Sequence, residues 1–196
     1  MSSMTRSERA GSAITSRARP LEKVPFSVMQ EVERQLEIPL SKDPEMIAEI
    51  VNRYSYFEMD DRKGYILSGK NENAPSYNQS FNYVGRKDDL KTVVFGFEYI
   101  SLRYPYEDLS WLYDIDFELI DNELVDTFIC IGPFAKDIAV RAYLSGISKD
   151  KIKTVEKVEE VYPLLKETKG NIYGILNLGT DKKVINELTK NGISVK

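Results

Sequence analysis

Histidine is absent from this chain of 196 residues, and cysteine occurs once. A Ser-His-Asp or Cys-His triad, a histidine-bound zinc and a four-cysteine zinc site all need side chains that are missing. No disulfide can form within the chain. No apolar run approaches the roughly 20 residues a membrane-spanning helix needs, and the first thirty residues lack the apolar stretch of a secretory signal. The expectation is a soluble, cytoplasmic protein. A net charge of −4 argues against general nucleic-acid binding, which calls for a basic surface. The G-x-G-x-x-G of classical dinucleotide sites does not occur. Chemistry is left to carboxylates, lysines, tyrosines, serines or groups lent by a partner. A hard-cation site of Asp and Glu stays open in principle, but no metal-ligand set is assigned.

What is present is ordinary globular composition, 42% hydrophobic and 30% charged, enough for one sizeable core or two small ones. The charge is unevenly spread. Arg6, Arg9, Arg17, Arg19 and Lys23 against Glu8 and Glu22 give residues 1–25 a charge of +3, leaving −7 for the rest. That segment is rich in Ser and Thr and poor in large apolar residues, so a flexible basic tail is expected. Residues 26–56 follow as a helical segment, with helices expected over 27–38 and 43–56, the second opening at Asp43-Pro44.

From residue 57 the pattern alternates. Strands are expected at 64–68, 92–97, 126–131, 152–154 and 171–176. Helices are expected at 75–85, 134–145, 155–168 and 181–191, the second ending at Gly146 and the last before Gly192. Continuous apolar strands between helices imply buried, mainly parallel pairing. The fold class is therefore α/β, a Rossmann-like three-layer domain with a mainly parallel sheet over 57–196. Such sheets bind ligands beyond the carboxyl ends of their strands, so the loops after 68, 97, 131 and 176 are where function is expected.

Gly64 to Asn71 nearly matches the phosphate-cradling G-x-x-x-x-G-K-[ST], but Asn71 replaces the hydroxyl and the four intervening residues are themselves a strand. A strand ending in a turn is the reading. Cys130, inside an apolar strand with no basic neighbour in sequence, reads as a small core residue. Gly132-Pro133-Phe134-Ala135 joins a strand to a helix whose N-terminus offers backbone N–H groups to an anion. The most unusual stretch runs from Tyr104 to Ala135. It holds no lysine or arginine, but has Glu107, Asp108, Asp114, Asp116, Glu118, Asp121, Glu123 and Asp126 interleaved with Tyr104, Tyr106, Trp111, Tyr113 and Phe117. Either this is a solvated acidic face anchored by aromatics, or one or two of the carboxylates point into a cleft.

Asp108-Leu109-Ser110-Trp111-Leu112-Tyr113-Asp114-Ile115-Asp116-Phe117-Glu118 resembles the D-x-S-W-x-[WY]-D-x-D-F-E stretch in the C-terminal domain of MurT, the Mur-ligase-like subunit of bacterial lipid II isoglutaminyl synthase. The segment from Ile131 to Gly146 resembles that family's S-G-x-R-A-Y-D-M-A-L-R-L-K-Y-A-G helix, and Asn73 to Gln79 resembles its N-P-A-G-F-N-Q segment. The resemblance covers about residues 57–180.

The resemblance implies a Mur ligase C-terminal fold and a part in peptidoglycan precursor amidation. In that family ATP and magnesium activate the glutamate α-carboxylate of lipid II, and a glutamine amidotransferase subunit of GatD type delivers ammonia. An aspartate of the D-x-S-W block completes the glutaminase's Cys/His pair. By position that aspartate is Asp108, with Asp114 as fallback, while Asn73, Asn78 and Gly132 fall at the substrate- or nucleotide-binding positions. Glu72, Ser76 and Phe134 depart from the family's lysine, glycine and arginine, and no Walker loop is present. This chain alone is expected to bind no cofactor and to act only with a GatD-type partner and a separate ATP-binding module. The alternative expectation is a non-catalytic binding or scaffolding module that keeps the fold.

Overall fold

Tyr54–Met59 (β1) and Arg62–Gly69 (β2) form an antiparallel hairpin whose turn places Asp60 at a positive φ of 55°. The computed structural model describes residues 54–69, 73–99, 108–120 and 122–196, within a unit spanning Ile50–Lys196. Gly64 opposes Phe57 across the hairpin, and a Cβ at Gly64 would lie 2.2 Å from the Phe57 ring. The glycine is there to let that ring lie flat on the sheet. This settles the phosphate-loop look-alike as far as it is described: Gly64 to Ser68 are strand residues inside β2.

The remaining elements follow in chain order as α1 (Ala74–Gly85), β3 (Lys91–Gly96), three short 3-10 turns between Ser110 and Leu124, β4 (Val125–Ile131) and α2 (Ala135–Leu144). Then come β5 (Ile152–Val155), α3 (Val161–Glu167), β6 (Asn171–Asn177) and α4 (Thr180–Lys190). The sheet order is β1-β2-β6-β3-β4-β5, and every pairing after the hairpin is parallel. The four strands expected at 64–68, 92–97, 126–131 and 171–176 are thus neighbours in one parallel sheet. Alternation along β3 sends Val93 and Phe95 to one face and Val94 to the other. The first face is covered by α1, α2 and the 3-10 turns, the second by α3 and α4. The protein is a three-layer α/β fold.

Two expectations fail in detail. The helix over 43–56 does not reach its stated end, because Tyr54 to Tyr56 belong to β1, where alternating aromatics suit a half-buried strand. The helix over 155–168 shrinks to α3. Val155 closes β5, Val158–Glu160 form a 3-10 turn, and Pro163 lacks an N–H and clashes with the carbonyl four residues earlier, so the α-helix begins only two residues before it. The basic tail, the helix over 27–38 and residues 43–53 lie outside the described residues, as do Lys70, Asn71, Glu72, Tyr104, Tyr106, Glu107 and Asp121. The edge of β1 is closed by the chain's last residues: Tyr56 N–H donates to the Lys196 carbonyl at 2.9 Å and Lys196 N–H returns the bond at 2.8 Å.

Candidate functional site

The carboxyl ends of β2, β6, β3 and β4 share one edge of the sheet. β3 is followed by Phe97 and Glu98, β4 by Gly132, and β6 by Leu178, Gly179 and α4. Phe97 is buried, and its ring lies 5.1 Å from that of Trp111 and 5.3 Å from that of Phe134. Trp111 also stacks on Tyr77 of α1, with ring centres 5.6 Å apart and planes 11° off parallel. These contacts hold the start of the acidic segment against the strand ends. Among the described residues Trp111 Nε1 is buried with no hydrogen-bond partner.

Asp108 stands at the head of that segment with its side chain in solvent. Its Oδ1 accepts the Ser110 N–H at 2.8 Å, which orients the carboxylate and holds its pKa below the ordinary aspartate value. It is therefore ionised at neutral pH. Beyond it, Leu112, Ile115 and Phe117 enter the core while Tyr113, Asp114, Asp116 and Glu118 face outward. From Asp108 to Ile120 the acidic segment is a solvated face anchored by apolar side chains. Arg141 of α2 is the exception to its one-sided charge: buried itself, it meets Glu118 at 2.9 and 2.8 Å and donates to the Ile115 carbonyl at 2.7 Å.

Asn78 uses its side-chain amide on the same segment. Its Nδ2 donates to the Asp114 carbonyl at 3.2 Å and its Oδ1 accepts the Asp116 N–H at 2.8 Å. Asn73 is the N-cap of α1, accepting the Ser76 N–H at 2.9 Å. Gly132 adopts φ 92°, its N–H donates to the Val155 carbonyl at 3.0 Å, and a Cβ there would come within 2.9 Å of the Phe97 carbonyl oxygen. Asn78 and Gly132 are thus committed within the fold, and Asp108 and Asp114 are the sequence-assigned residues whose carboxylates face solvent. Asp114 is tied through its carbonyl to Asn78, which places Asp108, Asp114 and Asn78 on one connected segment. Gly132 and Asn73 sit at the starts of α2 and α1.

Sequence reading passed over a second group at this edge. Glu98, next after Phe97, pairs with Lys183 of α4 at 2.5 Å, and its Oε2 is buried with no partner among the described residues. Thr180 is fully buried with its hydroxyl likewise unpartnered. The N-terminus of α4 is filled by its own Asp181, whose Oδ1 accepts the N–H groups of Gly179 at 2.8 Å and Lys182 at 2.6 Å, so an incoming anion meets a carboxylate there. The available signal was a polar residue directly ending an apolar strand, as at Glu98 and Asn177. Among the described residues no group of three or more Cys, Asp or Glu side chains is placed to hold a metal ion. The Gly132 amide is likewise spent within the fold. Cys130 is buried in β4, and burial pushes its thiol far above the ordinary value, as a core residue requires.

Comparison with known proteins gives one family match. The model described as MurT ligase C-terminal matches residues 71–179. Among solved structures, two crystal structures of MurF from Acinetobacter baumannii each match 69% of this chain, at 16% and 15% identity with TM-scores of 0.41 and 0.39, covering 29% and 28% of their own length. A structure of UDP-N-acetylmuramoylalanyl-D-glutamyl-2,6-diaminopimelate–D-alanyl-D-alanyl ligase from the same organism matches 69% of the chain at 14% identity and TM-score 0.37, covering 27% of that protein. The chain spans less than a third of the length of these structures. No curated protein matches it. Among the described residues no helix is long and apolar enough to cross a membrane.

Proposed function

We propose that this chain, which belongs to the MurT ligase C-terminal family, serves in a lipid II isoglutaminyl synthase, with a GatD-type glutaminase and a separate ATP-binding module as its partners. The reaction amidates the glutamate of a peptidoglycan precursor, and the chain's own part is to supply a carboxylate to the glutaminase. The observation that carries this reading is Asp108. It is an ionised, solvent-facing carboxylate near the carboxyl ends of the strands, oriented by the Ser110 N–H and rooted by Trp111 between Tyr77 and Phe97.

A glutaminase cysteine becomes a nucleophile when a histidine takes its thiol proton. Asp108 would accept the N–H of that imidazole's other nitrogen, fixing the tautomer that leaves the first nitrogen free to take the proton. Its negative charge then stabilises the imidazolium that forms. The absence of histidine from this chain is consistent with that division of labour, since the imidazole and thiol belong to the partner. A second reading, a scaffolding module without chemistry, draws support from Asn78 and Gly132, whose polar groups at family binding positions are spent inside the fold.

Reconstitution separates the two. Glutamine hydrolysis by the purified glutaminase is measured with and without this chain. Strong stimulation is expected if the chain completes the glutaminase site, and unchanged hydrolysis on confirmed binding would leave the scaffold.

A further inference from the structure

Helix α2 buries one side and leaves an apolar stripe on the other. Ala135, Ile138 and Ala142 pack into the core, whereas Val140, Tyr143 and Leu144 are 52%, 58% and 62% exposed. Their i, i+3, i+4 spacing stands them together, with neighbouring Cβ atoms about 5–6 Å apart. A single exposed apolar residue needs no explanation; three in one stripe of a ten-residue helix suggest a contact surface. Arg141 lies beside the stripe and reaches across to Glu118 and the Ile115 carbonyl, so the stripe borders the acidic segment. There Tyr113 is 59% and Leu119 40% exposed.

The flank they share is negative. Asp114 and Asp116, on either side of Ile115, are exposed and make no ion pair among the described residues, and no lysine or arginine occurs from Tyr104 through Ala135. Asp137, one turn before Arg141 on α2, adds a third exposed carboxylate. Lys136, one turn before Val140 in line with the stripe, is paired with Glu156 at 2.9 Å, so its charge is offset. A second copy of this chain docking through the same flank would set carboxylates against carboxylates. The complement of this surface is a different protein with positive charge along one side of an apolar ridge.

We propose that the outer face of α2 is a docking surface for a partner protein that presents an apolar ridge flanked by lysine or arginine where it meets Asp114 and Asp116. The inference rests on the functional reading above, in which that partner is the glutaminase subunit. Val140, Tyr143 and Leu144 supply the buried contact, and the acidic flank sets orientation and speeds encounter.

The test is calorimetric titration of the full chain with the purified glutaminase subunit. Leu144→Glu and Val140→Glu are each expected to weaken binding at least about tenfold, as loss of a central apolar contact does. Leu90→Glu, an exposed leucine just before β3 at the opposite edge of the sheet, is expected to bind like wild type. Circular dichroism checks each fold, and if Leu144→Glu loses structure, Val140→Glu, one turn earlier, carries the comparison. At saturating concentration both variants are expected to restore full glutamine hydrolysis, a result that separates docking from catalysis. Wild-type affinity is expected to fall as salt rises, and Asp116→Asn to flatten that dependence. Wild-type binding with undiminished affinity in both glutamate variants would overturn the docking surface and leave the functional reading intact. Failure of wild type to bind the glutaminase would overturn both.

Discussion

Arg141 and Glu118 form a fork-to-fork ion pair, with guanidinium N–H groups at 2.9 and 2.8 Å from the two carboxylate oxygens, across the boundary between a buried helix face and an exposed acidic segment. The same guanidinium lies 5.1 Å over the Phe117 ring. Arg141→Ala should therefore cost about 2–3 kcal/mol through lost charge-assisted hydrogen bonds and packing, read from urea unfolding. The guanidinium holds the Glu118 carboxyl below its ordinary pKa. That contribution is fully present above the ordinary glutamate range and is lost as pH falls through the lowered folded value. The stability gap between wild type and Arg141→Ala should narrow as pH drops from about 5 toward about 3, leaving the part due to the Ile115 carbonyl bond and packing on Phe117. A gap constant with pH would remove the ion pair from the account.

Asn78 is the other fastener of the acidic segment. Asn78→Ala removes both of its hydrogen bonds and should cost about 1 kcal/mol of stability. The sharper readout is hydrogen exchange, where the Asp116 amide should exchange about tenfold faster if the segment opens locally. Asn78→Asp keeps the acceptor for Asp116 and loses the donor to Asp114, so its effect should fall between.

Gly64 and Phe57 test the packing of the hairpin. A methyl group at Gly64 would overlap the Phe57 ring, so Gly64→Ala should destabilise by roughly 1–3 kcal/mol. Phe57→Leu made first should shrink that cost, giving a coupling energy of about 1 kcal/mol or more in a double-mutant cycle. Strict additivity would mean that the two residues do not compete for the same space.

The isolated chain should bind ATP weakly at best. Asn78 and Gly132 spend their polar groups inside the fold, and the described residues offer no magnesium-holding cluster. Calorimetry with ATP and magnesium should show no micromolar binding. A micromolar dissociation constant would return Asn73 and the residues just before it to consideration as nucleotide ligands.

The sheet was legible because its signal is repetitive. Val93 to Phe95 and Phe128 to Ile131 are continuous apolar runs, and such strands need cover on both faces. Helix α3 is shorter than the 155–168 pattern suggests because Pro163 sits in its first turn and prevents the helix from starting earlier. β1 was missed because aromatic alternation at Tyr54 to Phe57 follows directly on a stretch that reads as helix. The site was legible only at its head. Asp108 and Trp111 carry a distinctive local pattern, whereas Glu98 meets Lys183 and Arg141 meets Glu118 through contacts that no local spacing encodes. The commitment of Asn78 to Asp114 and Asp116 is likewise a tertiary fact, since its sequence context alone fits a ligand-binding amide equally well.

The central claim is that Asp108 completes the glutaminase's catalytic machinery, and glutamine hydrolysis by the reconstituted pair tests it most directly. Asp108→Asn should leave folding and binding of the glutaminase nearly unchanged, because the side chain is exposed and, among the described residues, is bonded to Ser110 alone. It should lower turnover by a factor on the order of 10³ to 10⁴, since an amide neither fixes the required tautomer nor stabilises the imidazolium. Glu123→Gln, an exposed carboxylate farther along the acidic segment, should hydrolyse glutamine at the wild-type rate. Equal turnover in the Asp108→Asn and Glu123→Gln complexes would contradict the assignment and leave the scaffold reading standing.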